Sequence, residues 1–488
     1  PTIPSQVVSP GGSPTGWGIL KELYDRGWKR TNNTNNFLSF FATFAYSFKN
    51  RYVVNANVRN DASNVFGQDI NHRIDPTYSF GLSWRASEEA FFQKHLKWIT
   101  TLNFRGTFGI QGNALTRESP ELILSQNGVQ AGYNRYYSTI SQIPNPYLSW
   151  ERTKNWNFGV DLELFHMFYM NLEYYTRRSN AVITVDLPFE YGINDMKRNG
   201  GIIYNRGIEY TLSFTPIQKR DFSLNINLNA SKNWNKGGET KIDRNTAMYL
   251  RGGSTQILKE GYPLSAFWSY SFAGLDGSNG KPMFNYVEVP DEEKSKSIDP
   301  TTYLVYSGET EPYFTGGLGF SFRYKSLSLN TSFSLLLGSK KRLPSPYSDF
   351  QGSGSMMPDP TKNVNRDLLN RWQKPGDEVY TNIPGLPTWP IEIGWTLPNT
   401  DSTESAIEMW EKSDAMVVSG SFLRCRNIGL SWQMKKEWCD KIHAKNLAIN
   451  FNMDNIFVIA SKRFNGFDPE LENSIMPRSF SLGLNIGF

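Results

Sequence analysis

The chain has 488 residues, with 51 Lys and Arg against 46 Asp and Glu, a formal charge of +5. The basic residues are interspersed with Asn, Ser and Thr along the whole length instead of forming one face, which excludes a nucleic-acid binder. Two cysteines, Cys425 and Cys439, exclude a disulfide framework or zinc cluster as what holds the fold, and an aromatic share of 14% beside 40 Gly and 26 Pro is a β-rich composition.

In chain order, residues 1–36 are rich in Pro, Gly, Asn and Thr and read as loop, the expectation being a piece of an extracellular loop. They start at Pro1-Thr2-Ile3-Pro4 without an initiator Met or a signal-type segment, so a processed or partial chain is expected. From residue 37 the periodicity is two: Leu38, Phe40, Ala42, Phe44, Tyr46 and Phe48 share a face, then Tyr52, Val54, Ala56 and Val58 oppose Asn55, Asn57 and Arg59. Phe222, Leu224, Ile226, Leu228 and Ala230 alternate with Ser and Asn; Leu327, Leu329, Phe333 and Leu335 do the same, and the chain closes on Phe480, Leu482, Leu484, Ile486 and Phe488. The template predicts about fifteen strands, starting near residues 37, 52, 77, 99, 153, 168, 204, 222, 264, 282, 313, 327, 421, 446 and 479. No apolar run reaches the roughly 18 residues of a membrane helix.

The connections between these strands alternate between short and long. That sorting is expected of an outer-membrane barrel with tight periplasmic turns and long extracellular loops, and a soluble β-sandwich has no reason to show it. Aromatics beside the short turns, among them Phe48, Tyr52, Trp84, Phe168, Phe214, Phe222, Phe322, Tyr324 and Trp432, read as an interfacial girdle. The opposite face carries Arg59, Arg105, Asp161, Glu163, Glu173 and Glu209 among Asn and Ser, implying a wet or plugged lumen. The predicted fold is all-β: a transmembrane antiparallel barrel over 37–488. An odd strand count set against the even number of bacterial barrels, in the plugged 22-stranded class, implies about seven strands before residue 37.

Several motifs carry a family resemblance, in order along the chain. They include Asn57-Val58-Arg59-Asn60-Asp61 leading to Phe66-Gly67, Tyr78 to Glu89, Phe104 to Asn113, Asn145-Pro146-Tyr147-Leu148-Ser149-Trp150-Glu151, Asn205-Arg206-Gly207-Ile208-Glu209, Asn370-Arg371-Trp372 with Pro375-Gly376-Asp377, Ser421-Phe422-Leu423-Arg424, Asp454-Asn455-Ile456-Phe457, Gly466-Phe467-Asp468-Pro469-Glu470 and the terminal Phe488. Together they resemble the C-terminal part of the barrel in SusC/RagA-like TonB-dependent outer-membrane transporters. Two departures are Asn64-Val65-Phe66 and Cys425. The resemblance implies active import of oligosaccharides or oligopeptides across the outer membrane. It further implies a SusD-like surface lipoprotein as partner, and a plug whose TonB box engages the TonB complex, neither of which these residues contain. A passive porin or specific diffusion channel would use the same wall, and a soluble carbohydrate-binding β-protein is the third reading.

Candidate substrate contacts are loop aromatics: Tyr133, Tyr136 and Tyr137 in one loop, Trp372, Trp389, Trp395 and Trp410 in the longest, with packing inside their own loops the simpler explanation. Asp276-Gly277-Ser278-Asn279-Gly280 has spaced oxygens but lacks the bidentate Glu of a calcium loop, and reads as a hairpin turn on the periplasmic side. His72, His95, His166 and His443 are scattered, so no metal or cofactor is expected, and no nucleophile and base constellation suggests an enzyme.

Overall fold

The computed structural model describes residues 36–63, 74–113, 121–130, 132–133, 135–193, 195–239, 247–252, 258–285, 300–347, 361, 363–386, 393–396, 403–471 and 474–488. Thirteen strands form one antiparallel sheet in sequence order. They are β1 (Phe37–Phe48), β2 (Tyr52–Ser63), β3 (Ile74–Arg85), β4 (Ile99–Asn113), β5 (Glu151–Leu164), β6 (Phe168–Asp186), β7 (Asp195–Gln218), β8 (Phe222–Gly237), β9 (Phe314–Tyr324), β10 (Leu327–Leu337), β11 (Phe422–Gln433), β12 (Asn446–Ile459) and β13 (Ser479–Gly487). Each pairs only with its sequence neighbours, so the sheet is a meander, the wall of a barrel. No helix among the described residues is long and apolar enough to cross a membrane.

Among the described residues the wall has thirteen strands, not fifteen. The segments near 264 and 282 carry strand-type residues but lie outside the sheet: Ala266–Tyr270 pairs with Leu304–Glu309, and Phe272–Leu275 pairs with Pro282–Phe284. The first of these is buried at every position, which a strand facing lipid cannot be. Asp276–Gly280 is therefore a hairpin turn, as its residues suggested, but on the opposite side from the one predicted. It belongs to the connection 238–313 at the long rim. Thirteen is also odd, so β1 and β13 run in the same direction.

With that correction all connections longer than thirteen residues fall on one rim. One rim carries 49–51, 86–98, 165–167, 219–221, 325–326 and 434–445; the other carries 64–73, 114–150, 187–194, 238–313, 338–421 and 460–478. Two of the short turns place two consecutive residues in the left-handed region, Lys49 and Asn50 (φ 49° and 54°) and Phe165 and His166 (φ 52° and 57°), closed by Arg51 N to Phe48 O at 3.0 Å and Met167 N to Leu164 O at 3.0 Å. Such turns match the twist of the flanking strands. Strands of 11 to 15 residues suffice for a tilted crossing of the hydrocarbon, which needs ~9–11. β6 and β7, at 19 and 24 residues, project beyond the long rim as a hairpin.

Register divides the two faces without ambiguity. Phe80 is opposite Ala56 and Phe108, Leu82 opposite Val54 and Gly106, and Trp84 opposite Tyr52 and Phe104, whereas Ser79 is opposite Asn57 and Gly109. Aromatics gather at the short rim of the apolar face: Trp84 stacks on Phe104 at 5.6 Å, Phe168 meets Phe214 at 6.2 Å, Phe222 meets Phe322 at 5.2 Å, and Trp432 meets Trp438 at 5.9 Å. Between β1 and β13 each interior strand is paired on both sides along the ladder, as crossing lipid requires.

Candidate substrate path along the lumenal face and loop layer

On the polar face, the residues singled out from the sequence form local networks, with Glu209 opposite Glu173 in the register. Arg59 Nε donates to both oxygens of Asp61 at 2.8 and 2.7 Å, and Ser39 donates to the same carboxylate. Arg105 Nη2 reaches Asp161 at 3.2 Å and Glu173 at 2.9 Å; Asn157 and Asn171 donate to those carboxylates at 3.2 and 2.7 Å. Thr101 donates to Glu163 at 2.9 Å. Between these networks runs a hydrogen-bonded Asn and Ser lining, for instance Asn225 to Thr215 at 2.8 Å and Asn427 to Asp454 at 2.8 Å. A groove of about 700 Å³ follows it past Arg59, Asp61, Thr107, Gln111 and Asn155.

Four of the sequence motifs acquire a physical reason here, two of them jointly. In Asn205 to Glu209, Gly207 has no side chain because the Tyr175 ring lies across it: a Cβ there would sit 2.4 Å from the ring. Tyr175 in turn donates to Asn233 Oδ1 at 3.2 Å and holds the Arg177 guanidinium 4.5 Å above its ring. Asn145 to Glu151 fastens the start of β5 to the projecting hairpin. Asn145 Nδ2 donates to Lys197 O, Asn199 exchanges two bonds with the Ser149 backbone at 2.9 and 2.8 Å, and Glu151 accepts from Val182 N at 2.9 Å and Asn113 Nδ2 at 3.0 Å.

The third is a pair no sequence argument had joined. Arg424, at the long-rim end of β11, is 2% exposed and donates to both oxygens of Asp468 at 2.7 Å, with Asp468 4% exposed. Glu470 lies 2.8 Å from the same guanidinium, held by charge without an aligned N–H, and Arg426 reaches it at 3.2 Å. The motifs 421–424 and 466–470 are thus two halves of one buried ion network that ties the last long connection to the wall. Two arginines alternating with apolar residues at a strand start, Arg424 and Arg426, were the available signal.

Above the long rim, connections 238–313 and 338–421 share an apolar interior. One cluster holds Leu250, Trp268, Tyr270, Leu304 and Met409, another Tyr347, Leu368, Ile407, Trp410 and Met416. Helix Ala406–Glu411 belongs to both, its start fixed by a reciprocal Ser405 and Glu408 capping box. Arg342 crosses between the two connections, donating to Arg251 O, Trp268 O and Ser269 Oγ at 3.0–3.1 Å; burial, with Arg251 nearby, pushes its pKa down to about 10. Burial raises the Glu411 carboxyl. The Asp276 turn is closed by Ser278 and Asn279 donating to the carboxylate, and Gly280 (φ 70°) lies against the Trp372 ring. A cleft of about 280 Å³ beside this interior is lined by Asn365, Asp367, Tyr380, Asn382 and Arg463 over Ile383 and Met416.

The aromatic candidates separate by position. Tyr133, Tyr136 and Tyr137 are exposed on the hairpin formed by Ile123–Gln130 and Arg135–Gln142. Trp410 is 1% exposed and donates Nε1 to Asn382 O at 2.8 Å, and Trp372 is part-buried, donating to Glu378 at 3.1 Å. Trp395 lies on a short strand, Ile393–Thr396, with its side chain outside the described residues, as is all of Trp389. Residues 1–35, His72 and the Asn64-Val65-Phe66 departure are also outside them. His95 ends a short helix; His166 and His443 occupy left-handed turn positions. Cys425 and Cys439 are both buried and unpaired by a disulfide, and no group of three or more potential metal ligands occurs among the described residues.

Comparison with known proteins fits this architecture. The family described as TonB dependent receptor-like, beta-barrel, matches residues 6–335. The chain belongs to that family. TonB-dependent receptor SusC of Bacteroides thetaiotaomicron is 25% identical over 486 residues, 93% of this chain and 44% of that protein. TonB-dependent receptor P3 of Formosa agariphila is 24% identical over 93% of this chain and 46% of its own length. Among solved structures, that of the RagAB peptide transporter superposes with a TM-score of 0.71 at 23% identity, covering 93% of this chain and 48% of that one. The chain spans about half the length of the relatives it matches. It is an outer-membrane β-barrel protein, similar to SusC over 93% of its length.

Proposed function

We propose that residues 37–488 form the C-terminal part of the wall and the outer loop layer of a TonB-dependent importer, and that residues 1–36 belong to an extracellular loop. The importer takes up oligosaccharides or oligopeptides, acting with a SusD-like surface lipoprotein and powered by the TonB complex through a plug carried elsewhere. The observation that carries the reading is the sidedness of the wall. One face is continuous apolar surface, the other a hydrogen-bonded polar lining, and the longest connections gather at one rim, where two of them build a packed layer over the path. The RagAB peptide transporter, whose fold this chain shares, supports the peptide class, the motif resemblance to SusC/RagA-like transporters implies both classes, and an Asn- and Ser-rich lining with exposed tyrosines above it serves either chemistry. Nothing in the mechanism requires a catalytic residue: substrate passes through a gated path, and the wall supplies reversible polar contacts.

The test uses the full-length transporter in cells. Uptake of labelled oligosaccharide and oligopeptide mixtures is measured with the TonB complex intact and with it deleted, and the purified protein is assayed for conductance in planar bilayers. Energy-dependent uptake with a closed bilayer signal supports the reading. Steady conductance with TonB-independent uptake would identify a passive channel instead.

A further inference from the structure

The chain's net positive charge sits at one place. The six short-rim connections contain eleven Lys and Arg and five Asp and Glu, a surplus of six, although the whole chain carries only +5. The remaining 40 basic and 41 acidic residues cancel to within one charge.

The side chains at this rim are arranged around the aromatic girdle. Lys49 occupies a left-handed turn position (φ 49°) directly after Phe48, and its ammonium lies 5.2 Å from that ring's centroid. Lys325 repeats the arrangement on a different turn (φ 54°), 5.4 Å from the ring of Tyr324. Both rings belong to the apolar face, so each ammonium stands at the boundary where that face ends. Around the same rim, Lys219, Arg220, Lys435 and Lys436 are exposed. The last two open the short helix Lys436–Lys441, whose Trp438 packs on girdle residue Trp432. Arg51 and Lys445 are already engaged, by Glu89 and by the carbonyl of Phe488.

From this we propose that the short rim is a docking surface for anionic phospholipid headgroups in the membrane leaflet it faces. The aromatic rings hold the level of the headgroups, and the turn lysines present their ammonium groups to phosphate oxygens there. Amines at such a boundary each gain on the order of 1 kcal/mol from an anionic leaflet, about a five-fold change in affinity. The strong salt sensitivity of exposed charges follows. The proposal rests only on the barrel crossing the membrane and stands whether the lumen imports actively or conducts passively.

The experiment is native mass spectrometry of the full-length, detergent-solubilised transporter titrated with dioleoylphosphatidylglycerol or dioleoylphosphatidylcholine. The expected result is preferential retention of phosphatidylglycerol, reduced at least ten-fold in the combined variant Lys49→Gln, Lys325→Gln, Lys435→Gln, Lys436→Gln. A control, Lys374→Gln with Lys462→Gln at the long-rim side, should leave retention unchanged. Heat-shifted gel mobility confirms that each variant is folded, and a single Lys325→Gln variant, expected to lose about five-fold, replaces the combined one if that fails to fold. Equal retention of the two lipids, or unchanged phosphatidylglycerol retention in the folded variants, overturns the proposal. So does displacement of the lipid by millimolar inorganic phosphate, which would mark isolated anion sites instead of a membrane-facing surface.

Discussion

The wall and the loop layer use the same residue types in opposite ways. In the wall, large apolar side chains are exposed: Phe40 is 66% and Phe44 58% accessible, and they find their environment in lipid. In the loop layer, Trp268 and Trp410 are 2% and 1% accessible, packed as in a water-soluble domain. The wall gains little from apolar contact between its strands. It is held by the backbone ladder, which has no competing water in the hydrocarbon. The loop layer must exclude water by its own packing, so it depends on buried aromatics, caps and a few buried charges. Substitutions should therefore have separable effects in the two regions.

The largest effect is expected where the regions meet. Arg424→Ala leaves the buried Asp468 beside the wall without its cation and Glu470 with Arg426 alone, a loss of about 3–5 kcal/mol for a buried pair broken on one side. Limited proteolysis of the full-length protein should then cut within 460–478, and adding Asp468→Leu should recover part of the protection. Trp410→Ala is expected to cost about 3–5 kcal/mol within the loop layer. It should raise protease sensitivity of 338–421 while leaving the heat-shifted gel mobility of the barrel intact. If barrel mobility collapses with it, the two regions are one cooperative unit and the comparison fails.

On the wall itself, Phe80→Arg places a guanidinium on the lipid face, expected to cost about 2–4 kcal/mol near mid-membrane. Ser79→Asn, its neighbour on the polar face, should be close to neutral in the same urea titration. Gly207→Ala drives a methyl into the Tyr175 ring and is expected to cost about 1–3 kcal/mol. Gly207→Ala with Tyr175→Ala should lose less than the sum of the single changes. The smallest effect is electrostatic. Because burial raises the folded Glu411 pKa above its unfolded value, the folded state holds that proton to higher pH. The loop layer should lose stability as pH rises from about 4.5 through the raised value. Glu411→Gln should remove that pH dependence and leave the layer more stable than the native chain at neutral pH, read by proteolysis of 403–420.

The wall was legible in the sequence because a half-lipid, half-water environment imposes strict alternation. Asn225, Asn227 and Asn229 beside Leu224, Ile226 and Leu228 admit no other placement. The turns were legible for a related reason, since the girdle aromatics mark where the alternation must end. The segment Ala266–Tyr270 was misread because Ala266-Phe267-Trp268-Ser269-Tyr270 is strand-forming in either environment, and burial on both faces removes the alternation that would separate a wall strand from a loop-layer strand. The Arg424 network was not legible as a contact. Its halves are 44 residues apart, and only the return of the last long connection over β11 brings them together.

The measurement that bears most directly on the account is single-cysteine scanning along β8 from Ser223 to Ser231 in the full-length transporter, in intact outer membranes, with a membrane-impermeant maleimide as the probe. The native thiols of Cys425 and Cys439 are buried and provide the unlabelled background. The account predicts labelling with a period of two: Ser223, Asn225, Asn227, Asn229 and Ser231 positions react from the lumen, and the Leu224, Ile226, Leu228 and Ala230 positions are protected by lipid. Uniform labelling of both sets, or protection of the Asn positions with reaction at the Leu and Ile positions, would contradict it.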